Sequence, residues 1–456
     1  MNPQIFRAYD IRGVAARDLS DAVATRIAHA YAHLVHEAGG RRVAVGRDCR
    51  LSSERLFAAF SAGLRAAGID VLEIGVVASP ELYWSVFHLD ADGGVQITGS
   101  HNPPEHNGFK MMLGKSTLHG PAIQRLKDLV ENPDAVRVPE RDGSHMRHDL
   151  RSQYVADIVS RLEFGTFRPK VVLDGGNGAG GPAGEAVVRA LGGDAVFLHT
   201  SMDGRFPNHH PDPTVEENLA ELVAAVRAHG ADVGIAYDGD ADRIGVVDDR
   251  GRVLWGDRLL ILLARDLLER HPGAAIVGEV KCSQTLFSDI AAHGGRAIMS
   301  AVGHSIIKER MKVEGALLAG EMSGHIFYKD RWLGFDDAIY VTARLLEILS
   351  RTERPLSALL ADVPETAVTP EIRLDCPDET KFEVVARAVD HYRDRYPVIE
   401  IDGARVDFGD GWGLIRASNT QPVIVLRAEA DTDVALLRIR DELEAFVARH
   451  RHHPAA

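Results

Sequence analysis

The feature that most constrains this 456-residue chain is a unit that recurs three times. Each unit opens on a β-branched run ending in a polar or glycine-rich turn: RRVAVGRD, then PKVVLDGGNG, then AAIVGEVK. A helical stretch follows, and then a glycine-led second strand: AGIDVLEIG, GGDAVFLHT and GGRAIMSAVG. Alternating strand and helix at this spacing predicts α/β layers. Each unit closes with strand, polar loop and strand, in GVQITGSHNPPEHNGFKMM, DVGIAYDGDADRIGVVD and GALLAGEMSGHIFYKD. Three dissimilar polar sequences at one position of a repeated unit predict three loops facing a shared cleft. From about Thr369 the pattern changes to a strand, a helix over Glu379 to Tyr396, paired strands around GARVDFGDGWGLIRAS, the strand PVIVLRAEA and a last helix. That predicts a smaller α+β domain.

The length accommodates roughly three or four domains of about 100 to 150 residues. A formal charge of -14 disfavours nucleic-acid binding, which relies on broad basic surfaces. An anionic ligand must therefore meet a local basic site. The three cysteines, Cys49, Cys282 and Cys376, have neither pairing nor metal spacing and are read as inert and buried. The start MNPQIFRAYDIRG lacks the apolar core of a secretory signal, so a cytoplasmic setting is expected. The most apolar run, Leu259 to Leu268, is interrupted by Arg265 and Asp266 and is too short to span a bilayer; it predicts a buried helix and no membrane partner.

The closing loops carry the chemistry. Ser100 has His101 beside it and Lys110 downstream, and Pro103 and Pro104 stiffen the backbone, although Ser, His, Asn and Pro also make ordinary turns. Asp238, Asp240 and Asp242 alternate, so an extended loop would turn three carboxylates toward one point, as a Mg²⁺ site needs. A helix-loop-helix calcium site does not fit, because Arg243 and Asp249 occupy the places that need Gly and Glu. An acidic turn remains an alternative, but uncompensated carboxylates would repel. Glu321, Ser323 and His325 also alternate, and one carboxylate can accept hydrogen bonds from two neighbouring hydroxyls, as on a sugar. Arg416, Ser418, Asn419 and Thr420 form a tight run between strands, with Arg427 on the next strand, and could make an anion nest. The glycines Gly176, Gly178 and Gly181 have dinucleotide spacing, but no acidic residue ends the next strand, so they predict only a tight turn.

In this order and over essentially the whole chain, FRAYDIRG, TGSHNPPEHNGFK, DGDADR, GEMSGH and RASNTQP resemble the α-D-phosphohexomutase superfamily. The resemblance is strongest to its bacterial phosphomannomutase/phosphoglucomutase branch. It implies three similar α/β domains plus a C-terminal α+β, TATA-binding-protein-like domain around a central cleft. The boundaries are placed at 1–150 (phosphoserine loop), 151–254 (metal-binding loop), 255–367 (sugar-binding loop) and 368–456 (phosphate-binding loop). It further implies reversible interconversion of hexose 6-phosphate and hexose 1-phosphate, of glucose and mannose, through a phosphoserine and a hexose 1,6-bisphosphate that reorients in the cleft.

By the same resemblance Ser100 is the phosphoserine, and Asp238, Asp240 and Asp242 hold Mg²⁺ with one oxygen of its phosphoryl group. Arg243 contacts that group, His101 and Lys110 are acid/base candidates, and Tyr9 and Arg12 line the cleft by the reacting hydroxyl. Lys281 and His304 approach the sugar phosphate, Glu321, Ser323 and His325 bind sugar hydroxyls, and Arg416, Ser418, Asn419, Thr420 and Arg427 grip the non-reacting phosphate. Glucose 1,6-bisphosphate is the implied activator, the partners are small-molecule hexose phosphates, the product feeds nucleotide-sugar precursors, and a monomer is expected. A phosphoglucosamine mutase usually shows Gln at Met322 and Gly at Asn419. A catalytically inactive sugar-phosphate binding protein would have lost Ser100 or the aspartates, and all are present.

Overall fold

The computed structural model describes residues 1–139, 141–419 and 421–451. In each of the three repeats the leading strand pairs in parallel with the second strand on one side and with the first hairpin strand on the other. The leading strands are Arg42–Arg47, Val171–Asp174 and Ala275–Glu279. The hairpins are Gly93–Ile97 with His106–Leu113, Val233–Tyr237 with Ile244–Asp248, and Leu318–Gly320 with Ile326–Tyr328, each antiparallel. Parallel pairing puts the turn after the leading strand and the hairpin loop at the same, carboxyl-terminal edge of each sheet. In α/β sheets that edge is where ligands bind. The first sheet is extended by Ile11–Val14 and His145–Arg147, and the second by Val253–Leu254.

The fourth unit is a sheet ordered Ala367–Val368, Val423–Ala430, Gly411–Ala417, Ala404–Asp407, Val398–Ile399, with Ile372–Asp375 also on Val423–Ala430. Helices Lys381–Arg393 and Asp433–His450 pack on it. The first of these is shorter than the expected Glu379 to Tyr396. The residues before it turn on the Pro377 carbonyl, and Pro397 is incompatible with helix in the residue before it. Ala367–Val368 pairs with Glu429 and Ala430 and so already belongs to this sheet.

The helix over the apolar run is Gly256–Arg270, and both charges inside it are neutralised. Arg265 pairs with Asp289 at 2.5 Å and Asp362 at 2.9 Å, and Asp266 with Arg270 at 2.8 Å. Among the described residues no helix is long and apolar enough to cross a membrane. Cys282 and Cys376 are buried as expected, whereas Cys49 is only half-buried; burial and the neighbouring Asp48 push its thiol up to about 12, so it remains unreactive.

One continuous apolar core joins the first three units, running from Tyr83 and Trp84 through Val187 to Leu260 and Phe335. The fourth has its own core around Ile424, Leu426, Ile439 and Leu443. It is held to the third by a small apolar cluster of Val280, Trp412 and Leu414, with Met299 and Val302, and by polar contacts. The Arg405 guanidinium donates to the carbonyls of Val280 (2.6 Å) and Cys282 (3.0 Å) and lies 3.7 Å from the Trp412 ring centroid. Glu429 accepts from Ser283 Oγ at 2.7 Å, Thr366 Oγ1 at 2.9 Å and Trp412 Nε1 at 2.9 Å. Arg405→Ala should cost about 3 kcal/mol at this interface, from the unsatisfied carbonyls and the lost stacking. In calorimetry the fourth unit should then melt separately and first. A single transition at the wild-type temperature would contradict this account.

Candidate active site

Ser100 is held in a backbone conformation rare for residues other than glycine, at φ 50°. The clamp is Arg50, just after the leading strand of the first unit. Its guanidinium donates to the carbonyls of Ser100 (2.7 Å), Asn102 (2.6 Å), Pro103 (2.6 Å) and His106 (3.0 Å), while Asp48 balances its charge at 3.1 Å. The loop is therefore stiff chiefly through this buried fork rather than through its prolines. Ser100 is buried, its amide donates to Thr98 Oγ1 at 2.8 Å, and its hydroxyl donates to Asp238 Oδ2 at 2.7 Å; His101 Nδ1 lies 3.3 Å from Ser100 Oγ.

The three aspartates do converge, with one carboxylate oxygen from each within 4.8 Å of the others and all side chains fully buried. They converge in a tight turn, however, and not in the expected extended loop. Ala241 has φ 57°, its amide donates to the Asp238 carbonyl at 3.1 Å, and the amides of Asp242 and Arg243 donate to Asp238 Oδ1 at 3.1 Å each. Lys110 Nζ donates to Asp240 at 2.7 Å and also to Asp242, and Ser79 Oγ donates to Asp240 at 2.5 Å.

Burial and the two neighbouring carboxylates push Asp238 well up. For Asp240 burial acts upward, but Lys110 and Ser79 outweigh it and hold the group low. Burial opposes the charge on Lys110, and the two aspartates more than restore it, so this amine is a fixed cation rather than a base. Desolvation, then Arg243, Arg12 and Lys110, drive His101 well down and keep it neutral. Asp240 Oδ1 and Asp242 Oδ1 are buried without a hydrogen-bond partner. Orphaned carboxylate oxygens of this kind fit a hard divalent cation.

In the third loop Glu321 is buried, and the Gly303 amide donates to it at 2.7 Å and Ser323 Oγ at 3.3 Å. Burial pushes Glu321 up, but His325, Lys281 and the Gly303 amide outweigh it and keep it ionised. The sequence reading missed Asp336. This fully buried carboxylate takes His304 Nδ1 at 3.1 Å, His325 Nδ1 at 3.0 Å and Lys308 Nζ at 3.1 Å. Arg243 Nε donates to His325 Nε2 at 2.9 Å, so that nitrogen is an acceptor, while Nδ1 faces Asp336. The aspartate turn and the third loop also meet through the Ile244 amide and the Gly324 carbonyl, at 3.0 Å.

In the fourth loop Arg416 pairs with Asp402 at 3.0 Å, and Asp402 also accepts from the Val302 amide at 3.1 Å. Asn419 Nδ2 donates to Tyr9 Oη at 3.0 Å, and that hydroxyl donates to the Val302 carbonyl at 2.8 Å, which ties the first, third and fourth units together. Burial pushes the Tyr9 hydroxyl up to about 12. Arg12 pairs with Asp10 at 2.6 Å and also binds Asn102, bracing the serine loop. Ser418 is buried in the same loop, and Thr420 lies outside the described residues. Two expected ligand contacts are engaged elsewhere: Lys281 pairs with Glu371 at 3.1 Å, and Arg427 reaches Asp257 at 3.5 Å. Arg50, Ser79, Asp336 and Asp402 belong to this constellation and were not singled out from sequence. Arg50 and Asp336 sit in the polar stretches VGRDCR and GFDD, which carry no distinguishing spacing.

The chain matches family models described as phosphoglucomutase/phosphomannomutase, alpha/beta/alpha domain I over residues 3–137, domain II over 152–251, domain III over 255–367 and the C-terminal domain over 371–446. A phosphomannomutase/phosphoglucomutase of Pseudomonas putida is 47% identical over 98% of this chain and 96% of its own length. A phosphoglucomutase of Neisseria gonorrhoeae is 45% identical over 98% and 97%. A crystal structure of a phosphoglucomutase/phosphomannomutase family protein from Burkholderia thailandensis superposes with a TM-score of 0.92 at 42% identity, covering 100% of this chain and 99% of that one.

Gly239 has no room for a side chain, because a Cβ there would lie 2.3 Å from the Ser100 carbonyl oxygen. Gly239→Ala must push the serine loop and the aspartate turn apart. A misplacement of about 1 Å costs on the order of 100-fold in rate. The variant should stay folded by circular dichroism and lose turnover on that scale; an unchanged kcat would contradict the fit.

Proposed function

The chain belongs to the phosphoglucomutase/phosphomannomutase family and is a hexose phosphate mutase, and on that premise we propose how its own residues carry out the reaction. Ser100, phosphorylated on Oγ, gives its phosphoryl group to O6 or O1 of a glucose or mannose monophosphate. The Oγ–P bond breaks, a sugar O–P bond forms, and the sugar hydroxyl proton leaves to a base and returns to the serine oxygen. The hexose 1,6-bisphosphate turns around in the cleft, and its other phosphoryl group returns to Ser100. The observation that carries this reading is the Ser100 hydroxyl, held 2.7 Å from Asp238 inside the aspartate cluster.

Asp238, Asp240 and Asp242 are the residues that would hold Mg²⁺, which neutralises charge on the phosphoryl oxygens when bound. Lys110 and Arg243 add fixed positive charge to the same place, as a loose phosphoryl transition state requires. Neutral His101, 3.3 Å from Ser100 Oγ, is the nearest histidine able to take a proton, beside the Asp238 carboxylate at 2.7 Å. Ionised Glu321, with Ser323 and His325, grips sugar hydroxyls. Asp336 positions His304 and His325 from behind. Because a carboxylate that binds the 3- and 4-hydroxyls cannot sense C2, glucose and mannose are handled alike.

Arg416, Ser418, Asn419 and Thr420 bind the phosphate that is not reacting, with Arg427 and Lys281 reaching it if their present ion pairs to Asp257 and Glu371 exchange on ligand binding. Tyr9 and Arg12 close the wall beside Ser100. Glucose 1,6-bisphosphate activates by rephosphorylating Ser100, and the enzyme acts as a monomer in the cytoplasm.

Intact mass spectrometry should find a phosphate adduct on the wild-type protein incubated with glucose 1,6-bisphosphate and none on Ser100→Ala. An adduct on the variant would overturn the assignment. Chelation should abolish turnover and Mg²⁺ should restore it, because the aspartates lack enough positive charge without a cation; full activity in excess chelator would rule the metal role out.

A further inference from the structure

A cavity of about 460 Å³ lies between the first and third units. That is within the roughly 300–1,000 Å³ typical of small-molecule sites. None of the residues assigned above to binding or catalysis lines it. Lys115, Lys308, Lys312 and Lys329 do, against the single carboxylate of Glu309, in a chain whose net charge is -14. Among the described residues Lys115, Lys312 and Lys329 have no ion-pair partner. Three exposed ammonium groups without a carboxylate partner make the mouth of this cavity locally positive in an acidic protein.

Three aromatic residues, Tyr83, Phe87 and Phe335, also line it, beside Met112, Met311 and Leu333. Phe335 meets Tyr83 edge-on at 5.5 Å between ring centroids and lies 6.1 Å from Phe87. Lys115 sits 5.0 Å over the Phe87 ring and Lys308 4.7 Å over the Tyr83 ring. Two lining residues, Tyr83 and Ser305, have buried hydroxyl oxygens without a hydrogen-bond partner. Buried hydroxyls normally find partners, so these two point to a ligand with polar atoms of its own. Flat apolar surface, unpaired ammonium groups and free hydroxyls together suit a planar base carrying phosphates.

We propose that this cavity is a regulatory site for a nucleoside phosphate, with the base against the half-buried Phe87 and Leu333 and the phosphates on Lys115, Lys312 and Lys329. Lys308 links it to the cleft. Its ammonium lines the cavity and also holds Asp336 at 3.1 Å, and Asp336 in turn orients His304 and His325. Phosphate in the cavity competes with Asp336 for that ammonium and loosens the two histidines. The binding claim is independent of the catalytic reading above, whereas the effect on turnover rests on it.

The test uses full-length protein with ADP as the probe and Mg²⁺ in excess of the nucleotide. Calorimetry in saturating glucose 1-phosphate, which fills the cleft, should show one ADP per chain and much weaker binding of inorganic phosphate. Lys312→Glu with Lys329→Glu, both on exposed side chains, should weaken ADP by at least about tenfold without changing the melting temperature. Saturating ADP should change the turnover of the wild type and leave that of the double variant as it is. Displacement of ADP by glucose 1-phosphate, or equal affinity for the variant, would overturn the site. Binding with no change in wild-type turnover would overturn the regulation.

Discussion

Three aspartates packed at zero exposure within 4.8 Å of one another are the arrangement on which the rest of this molecule depends. Carboxylates so close repel, and burial raises the cost of each charge. Lys110 makes the arrangement possible, and it comes from a different unit, on a strand of the first sheet, to meet Asp240 and Asp242 of the second. The same electrostatic requirement therefore joins the two units and delivers the Ser100 hydroxyl to Asp238. A divalent cation beside Lys110 would cancel the charge of all three carboxylates.

Around that centre the supports are mostly backbone contacts that tolerate no extra atom. Gly239 lies under the Ser100 carbonyl, and the Gly178 position in the glycine-rich turn of the second unit packs on Gly239 with no space for a methyl group. Arg50 collects four carbonyls of the serine loop with one buried guanidinium, and Asp336 serves the third loop by pairing with two histidines and a lysine. Such groups touch no reacting atom in the proposed mechanism, yet they set where the reacting atoms lie. The fourth unit is attached differently. With a core of its own, and only a small apolar cluster and a set of polar contacts joining it to the third, it is attached more lightly than the first three, which share a common core.

Much of this was legible in the chain before folding. The threefold repeat, the hairpin loops and the buried character of Gly256–Arg270 follow from hydrophobic periodicity and turn chemistry, which are local. The reactive residue types in each loop were legible too, since Ser100, the three aspartates and Glu321 stand in distinctive spacings. Their backbone was not. The positive φ of Ser100 and of Ala241 is imposed by contacts from Arg50 and from the amides around Asp238, and neither residue advertises that conformation as a glycine would. Arg50, Ser79, Asp336 and Asp402 went unnoticed because each acts on a residue far away in sequence, and a lone charged residue in a polar turn carries no spacing to read.

The sequence by itself thus determined the class of fold, the order of the units, the polar loops that close them and the kinds of functional group those loops carry. Only the tertiary structure decided that Lys110 neutralises carboxylates more than 120 residues away, that Tyr9 ties the fourth unit to the first, and that a lysine-lined cavity lies between the first and third units. The physical reason is the range of the forces involved. Strand, helix and turn preferences are decided within a few residues, whereas burial and the pairing of buried charge depend on which surfaces meet, and no local pattern records that.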